Sequence, residues 1–291
     1  MRRSRLRAVL VVLAAMALLA TACGGDGGGD GGGDGEQQDL LANVQSEGVL
    51  RVSTDPAYPP QSSLNEDTGE YEGFDIDVAT EIAERLGVEV AWETPQWETI
   101  IAGNWNGRWD VSVGSMTVLP ERAEVLHFTP PYYFTPAAVA VHEGDSSVTD
   151  LATDLDGKTI GVCGGCTYDY YLQKTLEVPG YEFDFVIDDA EIVATDTDTT
   201  AIEQLEQGRV DAVISSVTTL DSAVKKGKEI KVVPGTLFYE PLAVAIDRSS
   251  DLDPTSLVAE LTRIVEEMHS DGTLSALSMK WFDEDLTVAA T

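Results

Sequence analysis

The sequence predicts an α/β fold of two lobes, joined by two chain crossings and enclosing a ligand cleft. Three observations carry this. From residue 49 onward, short apolar runs alternate with stretches of helical periodicity, the pattern of a parallel or mixed sheet with helices on its faces. One phrase, Gly107-Arg108-Trp109-Asp110-Val111-Ser112-Val113-Gly114-Ser115, returns 101 residues later as Gly208-Arg209-Val210-Asp211-Ala212-Val213-Ile214-Ser215-Ser216. The roughly 250 residues after a glycine-rich segment exceed one typical domain. Each copy of the phrase reads as a helix ending at Gly, then Arg-x-Asp, then a short apolar strand with Ser at its C-terminal end. Ligands of open α/β sheets bind beyond the carboxyl ends of the strands, so two such units facing each other make a cleft.

The first 22 residues read as a leader. Arg2, Arg3, Arg5 and Arg7 precede an apolar run from Ala8 to Ala20, of signal-peptide length and too short to span a bilayer comfortably. The run ends in Leu19-Ala20-Thr21-Ala22-Cys23, which resembles a bacterial lipobox; Cys23 is the expected acylation site. Residues 24–35 read GGDGGGDGGGDG, with no apolar side chain to bury, so residues 23–40 are expected to form a lipidated Cys and tether. A tether behind an acylated Cys holds a domain near a membrane without inserting it.

The body follows in order. Val49 to Thr54 is a predicted strand, stopped by Asp55-Pro56 and Pro59-Pro60. Asp75 is the expected N-cap of a helix with Ile76, Ala79, Ile82, Ala83 and Leu86 on one face and Gly87 as its stop. Val88 to Trp92 is a strand, Trp97 to Asn106 a helix and Val111 to Val113 a strand. The second unit has a strand at Thr159 to Val162, a helix from about Tyr168 to Leu176, and a helix containing Ile202 and Leu205 with Asp198 as its cap. The crossings are placed near Thr135 and near Tyr239-Glu240, where the extended apolar runs Ala137–Val141 and Leu242–Ile246 begin. Helices around Leu257–Met268 and Leu274–Trp281 would return to the first lobe. The expected lobes are residues 41–135 with 240–291, and residues 136–239.

Removing the four leader arginines from 18 basic residues leaves 14 against 51 acidic ones, a formal charge near −37. That excludes nucleic acid as a partner.

The segment Gly114-Ser115-Met116-Thr117-Val118-Leu119-Pro120-Glu121-Arg122 closes the first copy. It offers an open backbone at Gly, two small hydroxyls, and an Arg whose planar fork matches a carboxylate. Such a strand end is a place to hold a small anion. In the second unit, Thr167 and the amides of a helix N-terminus form another candidate anion contact. Between strand and helix stands Cys163-Gly164-Gly165-Cys166, open to three readings. A redox pair lacks a thioredoxin-like context. A zinc site lacks two further ligands, since His127, His142 and His269 show no paired spacing. A structural disulfide is favoured: the compartment is oxidising, and a four-residue turn brings the flanking Cα atoms within about 7 Å. No metal or cofactor is expected.

Taken together, Leu50-Arg51-Val52-Ser53-Thr54-Asp55-Pro56-Ala57-Tyr58-Pro59-Pro60, Gly73-Phe74-Asp75-Ile76-Asp77-Val78-Ala79, Trp109-Asp110 through Arg122 and Phe128-Thr129-Pro130-Pro131-Tyr132-Tyr133 resemble the polar amino-acid family of solute-binding proteins of ABC importers, solute-binding protein family 3. The resemblance covers about residues 45 to 285. It implies a type II periplasmic-binding-protein-like fold closing on a small zwitterion, and a monomer working with ABC permease subunits. Carried over position by position, Arg122 would pair with the ligand carboxylate. Thr117 and the backbone near Gly114, Ser115 and Met116 would bond the same group or the amine, and Thr167 would meet the carboxylate from the second lobe. Asp55 would face a polar or cationic ligand group, and Tyr58 and Trp97 would sandwich its aliphatic part. Asp75, Asp77, Trp105 and Trp109 are assigned to structure.

Two positions depart from the family's pattern. Ser216 stands where members binding ordinary α-amino acids usually carry an Asp that answers the ammonium, and Gln61 replaces a Phe. Either the ligand lacks a free primary α-amine, as ectoine-like or opine-like solutes do, or Asp55, Asp221 or Glu240 supplies the charge. The rival class is an enzyme on the same fold, similar to cyclohexadienyl dehydratases, in which Asp55 or Glu240 would be the acid or base. A sensor's ligand domain is a third reading, which would require a transmembrane and signalling segment.

Overall fold

The computed structural model describes residues 38–289. The leader, Cys23 and residues 24–37 of the tether lie outside the described residues. Helix α1 (Leu40–Glu47) opens on Asp39, whose carboxylate accepts from the Ala42 N–H at 2.7 Å. Strand β1 (Val49–Ser53) leads to a small antiparallel sheet of β2 (Ala57–Tyr58), β3 (Ser62–Leu64) and β4 (Tyr71–Glu72). Helix α2 (Phe74–Leu86) stops at Gly87, as its sequence predicts, but its N-cap is Gly73 rather than Asp75. Gly73 sits at φ 138°, and a Cβ there would lie 2.2 Å from the Gln61 carbonyl oxygen. The first amides of α2, from Phe74 and Asp75, donate to the carbonyls of Pro60 and Gln61. This fixes the loop that carries Gln61 and leaves the Asp75 side chain to turn inward.

Strand β5 (Glu89–Glu93) precedes the one-turn helix α3 (Trp97–Ile101). That helix ends earlier than expected: Gly103, Asn104 and Asn106 all take positive φ, which breaks it. Strand β6 (Val111–Thr117) runs on through the predicted anion-holding turn instead of ending at Val113. Helix α4 (Pro120–Val125), β7 (Leu126–Phe128) and the long β8 (Tyr133–His142) follow. Then come β9 (Lys158–Cys163), α5 (Thr167–Leu172), β10 (Ala190–Thr195), α6 (Asp198–Glu206), β11 (Ala212–Ser216), α7 (Val217–Lys225) and β12 (Ile230–Val232). Strand β13 (Phe238–Asp247) and helices α8 (Thr255–Ser270) and α9 (Thr273–Phe282) end the fold. Among the described residues no helix is long and apolar enough to cross a membrane.

The strands form one curled, hydrogen-bonded series, β10-β9-β11-β8-β13-β6-β1-β5. Pairing is parallel at its two ends and antiparallel through the middle. The ten-residue strands β8 and β13 run antiparallel to each other with Thr135 opposite Glu240. One apolar core packs β1, α2, β6 and β13 against α8, around Leu50, Phe74, Ile82, Val113, Val244 and Leu261. A second packs β8, β9, α5 and β11, around Val139, Ile160, Tyr171 and Ile214. Each fully buried Leu or Ile side chain contributes about 1.5–3 kcal/mol to such a core.

The repeated phrase has one structural meaning in both copies. Asp110 N–H donates to the Arg51 carbonyl at 2.9 Å, and the Asp110 carboxylate accepts from the Arg51 N–H at 2.9 Å. Asp211 makes the same reciprocal pair with Thr159, at 2.8 Å both ways. In each copy the Arg-x-Asp aspartate therefore pins the start of its strand to a neighbouring parallel strand.

Candidate ligand-binding site

The carboxyl ends of β1 and β6 and the start of β9's following turn converge on one cavity. Its first wall holds Asp55 after β1, Tyr58 on β2, Trp97 at the start of α3, Gly114, Ser115 and Thr117 on β6, and Arg122 on α4. Its second wall holds Cys163, Cys166, Thr167 and Tyr168 around the N-terminus of α5, and Asp198 at the start of α6. Glu240 enters from β13.

Arg122 is 3 % exposed. One terminal nitrogen donates to the Thr117 carbonyl at 3.1 Å and the other to the Gly165 carbonyl at 2.8 Å. The guanidinium carbon lies 5.1 Å from the Trp97 ring centroid, a cation–π arrangement, and its Nε is buried without a partner. Burial lowers its pKa to about 10, which leaves it charged at neutral pH. Trp97 also donates its ring N–H to the Gly165 carbonyl at 3.3 Å.

Ser115 lies at φ 53°, and its backbone N–H donates to the Tyr132 hydroxyl at 3.0 Å. That amide is already used within the protein. The Ser115 hydroxyl donates to Asp75 at 2.7 Å, and the Tyr132 hydroxyl donates to the other Asp75 oxygen at 2.7 Å. Asp75, placed with structure by its sequence context, holds the bend of β6 from behind. Asp77 accepts from the Trp281 ring N–H and from Lys280, both at 2.6 Å. Trp105 is fully buried and donates to the Ile100 carbonyl at 2.9 Å; Trp109 packs beside it.

The carboxylates differ. Glu240 Oε1 accepts from Thr167 and, at 3.1 Å, from Thr117; Oε2 accepts from the Tyr168 hydroxyl at 2.7 Å. Burial raises its pKa, opposed by those hydroxyls and by Arg122. Asp55 accepts from the Ala57 N–H at 2.8 Å, and burial raises its pKa. Asp198 is 4 % exposed and accepts from the Ser215 hydroxyl. Burial raises its pKa to about 7, opposed by that hydrogen bond and reinforced by the nearby charges of Asp55 and Glu240.

Eight of the ten residues expected at the ligand line this cavity: Asp55, Tyr58, Trp97, Gly114, Ser115, Thr117, Arg122 and Thr167. Met116 and Ser216 do not. Strand alternation sends the Met116 side chain to the opposite face, into a core with Trp105, Trp109 and Leu126. Ser216 is fully buried and caps α7, accepting from the Thr219 N–H at 3.2 Å and from the Gln61 amide at 3.1 Å. Asp221 also lies outside this cavity and lines a separate depression with Pro60 and Trp281. Cys163, Cys166, Tyr168 and Asp198 line it without having been assigned to the ligand. Asp198 reads from sequence as a helix cap, but Thr197 takes that role, accepting from the Thr200 N–H, and frees the aspartate. Cys163 and Cys166 are joined as a disulfide with Cα atoms 5.4 Å apart. Their sulfurs and an Asp198 oxygen lie within 4.8 Å of one another, but sulfurs bonded to each other offer no thiolate to a metal.

The family model for bacterial extracellular solute-binding proteins, family 3, matches residues 50–284. The L-cystine-binding protein TcyJ of Escherichia coli strain K12 is 30% identical over 251 residues, covering 86% of this chain and 88% of the relative. A mutant of ArgBP from T. maritima superposes with a TM-score of 0.72 at 29% identity, covering 84% of this chain and 99% of that one. An ancestral amino acid-binding protein, a precursor of cyclohexadienyl dehydratase, also gives a TM-score of 0.72, at 27% identity and with 83% and 99% covered. A two-lobed α/β fold with a cavity lined by charged, hydroxyl and aromatic side chains defines the class, a solute-binding protein. Within that class this chain belongs to the bacterial extracellular solute-binding proteins, family 3.

Proposed function

We propose that this protein is the extracytoplasmic substrate-binding component of an ABC importer for a polar amino acid or a related small zwitterion. The observation that carries the reading is Arg122. It is a buried guanidinium with an unpartnered Nε at the wall of a cavity that also presents three carboxylates. A ligand carboxylate answers Arg122, and a ligand cation answers the acidic side; a charged ligand needs both once water is excluded. Trp97 and Tyr58 flank the aliphatic part. Residues 41–135 with 240–291 form one lobe and 136–239 the other, and closure about β8 and β13 traps the ligand for delivery to the permease. Cys23 anchors the chain to the membrane by its lipid, and the protein acts as a monomer.

The uncharged Ser216 does not require a ligand without an ammonium, because the cavity holds the carboxyl groups of Asp55, Asp198 and Glu240. The relatives named as amino-acid binders support a binder over a dehydratase-like enzyme. The test is a thermal-shift screen against L-amino acids, L-cystine, octopine and ectoine, since a ligand of the native state raises the melting temperature. A hit that is recovered chemically unchanged supports binding without turnover. Arg122→Ala is expected to cost at least tenfold in its Kd, because a hydrogen bond to a charged group is worth about 1.5–3 kcal/mol. A change within twofold overturns the carboxylate assignment. Mass spectrometry of the mature N-terminus tests acylation of Cys23.

A further inference from the structure

The two departures from the family's pattern, Gln61 and Ser216, turn out to be one feature. The Gln61 amide donates to Thr218 at 2.8 Å and to Ser216 at 3.1 Å, and its carbonyl accepts from Thr219 at 3.2 Å. All four residues are buried. The loop of Gln61 is itself fixed by the first turn of α2. A neutral, internally satisfied amide–hydroxyl cluster therefore fills the end of β11, which offers a ligand neither a charge nor a free polar group.

A carboxylate stands one strand position away. Ser215, the neighbour of Ser216, donates to Asp198. The same pairing occurs at the first strand end, where Ser115 donates to Asp75. Both aspartates lie in the first turn of a helix. The difference is what else they meet. Asp75 has a second hydroxyl donor, Tyr132, and lies outside the cavity lining; Asp198 has Ser215 as its side-chain donor and lies in the lining. The other two cavity carboxylates are more fully occupied. Glu240 is held by three hydroxyls, and Asp55 is folded onto its own turn.

We infer that Asp198 is the residue that receives the α-ammonium of the ligand, and that the Gln61–Ser216–Thr218–Thr219 cluster seals the strand end where that charge would otherwise be answered. The site thus selects ligands with a free α-amine although Ser216 is neutral. The inference rests on the proposal that the ligand is an amino acid or related zwitterion.

The test uses the twenty common L-amino acids and L-cystine as probes, measured by isothermal titration on the purified protein. The best binder is then compared with its Nα-acetyl analogue, on the wild type and on Asp198→Asn. The wild type is expected to prefer the free amine at least tenfold. D198N is expected to weaken the parent ligand at least tenfold while changing the acetylated one less than twofold. Equal loss of both, or a parent Kd within twofold of wild type, overturns the inference while the binding function stands. Equal wild-type affinity for the two forms overturns it as well. If none of the probes binds the wild type, the amino-acid reading fails and the inference fails with it. Should D198N not fold, Ser215→Ala, which removes the hydroxyl that orients Asp198, is expected to weaken the parent more than the analogue; equal effects on both overturn the assignment.

Discussion

The two copies of the repeated unit begin alike and end differently. Both start with an aspartate that exchanges two hydrogen bonds with a neighbouring strand, Asp110 with Arg51 and Asp211 with Thr159. Both finish near a serine that leans on a buried aspartate. The first strand end bends at Ser115 and opens Gly114, Ser115 and Thr117 to the cavity, with Arg122 following. The second is closed by Gln61 and hands its place in the cavity to Asp198. The comparison teaches that the frame of a duplicated α/β unit and its binding surface are separable. The backbone-pinning aspartate builds the unit, and residues beyond the strand decide whether its end faces a ligand.

The largest expected effect tests the shared beginning. Asp110 is buried and, besides the Arg51 backbone, it holds the Arg51 guanidinium at 2.8 and 3.2 Å. Asp211 is exposed, and its carboxylate accepts the Thr159 N–H. Asp110→Ala is expected to lower stability by about 2–3 kcal/mol, because the part-buried Arg51 N–H loses its acceptor and the Arg51 guanidinium keeps only Glu47 as a carboxylate partner; Asp211→Ala by about 1 kcal/mol. Urea unfolding of both variants measures this, and equal losses would show that the two aspartates are not graded by burial.

A second, smaller effect tests the buried carboxylate behind the first strand end. Burial raises Asp75 from 3.8 to about 7, opposed by the Tyr132 and Ser115 hydroxyls and reinforced by Asp55. Between about pH 4 and 7 the unfolded chain has lost this proton while the folded chain keeps it. By linkage, stability from this group is therefore present at low pH and is lost as pH rises toward 7. The melting temperature of the unliganded protein should gain a few degrees more, on moving from pH 8 to pH 5.5, in the wild type than in Asp75→Asn. Parallel curves would show that Asp75 does not titrate in that window.

Much of this was legible in the sequence. The repeated Arg-x-Asp phrase marked two equivalent units, and the spacing from Gly114 to Arg122 marked the cavity's first wall. What was not legible came from side chains that meet only in three dimensions. The Met116 side chain turns into a core away from the cavity, because β6 extends through it and alternation applies. Gln61 and Ser216 read as separate oddities, 155 positions apart, until their hydrogen bond joins them. Asp198 looked like a cap because Asp suits that position, but Thr197 beside it suits it too, and one residue of shift decides which side chain is free. The alternating Asp and Thr from Asp196 to Thr199 was the signal that more than one cap was available.

The smallest effect tests the closed end directly. Ser216 caps α7 and accepts from Gln61 within the buried cluster, and it is absent from the cavity lining. Ser216→Ala removes a cap and leaves part of the Gln61 amide bonded to Thr218, so it should cost about 1 kcal/mol, or roughly 2–4 °C in melting temperature. Ligand affinity should stay within twofold, since the Ser216 side chain is not itself part of the cavity lining. Calorimetric unfolding and titration of the same preparation separate the two quantities. A variant that keeps its melting temperature but loses affinity would place Ser216 at the ligand after all. The two strand ends would then be equivalent in function as well as in frame, and the contrast between an open first copy and a sealed second one would fall.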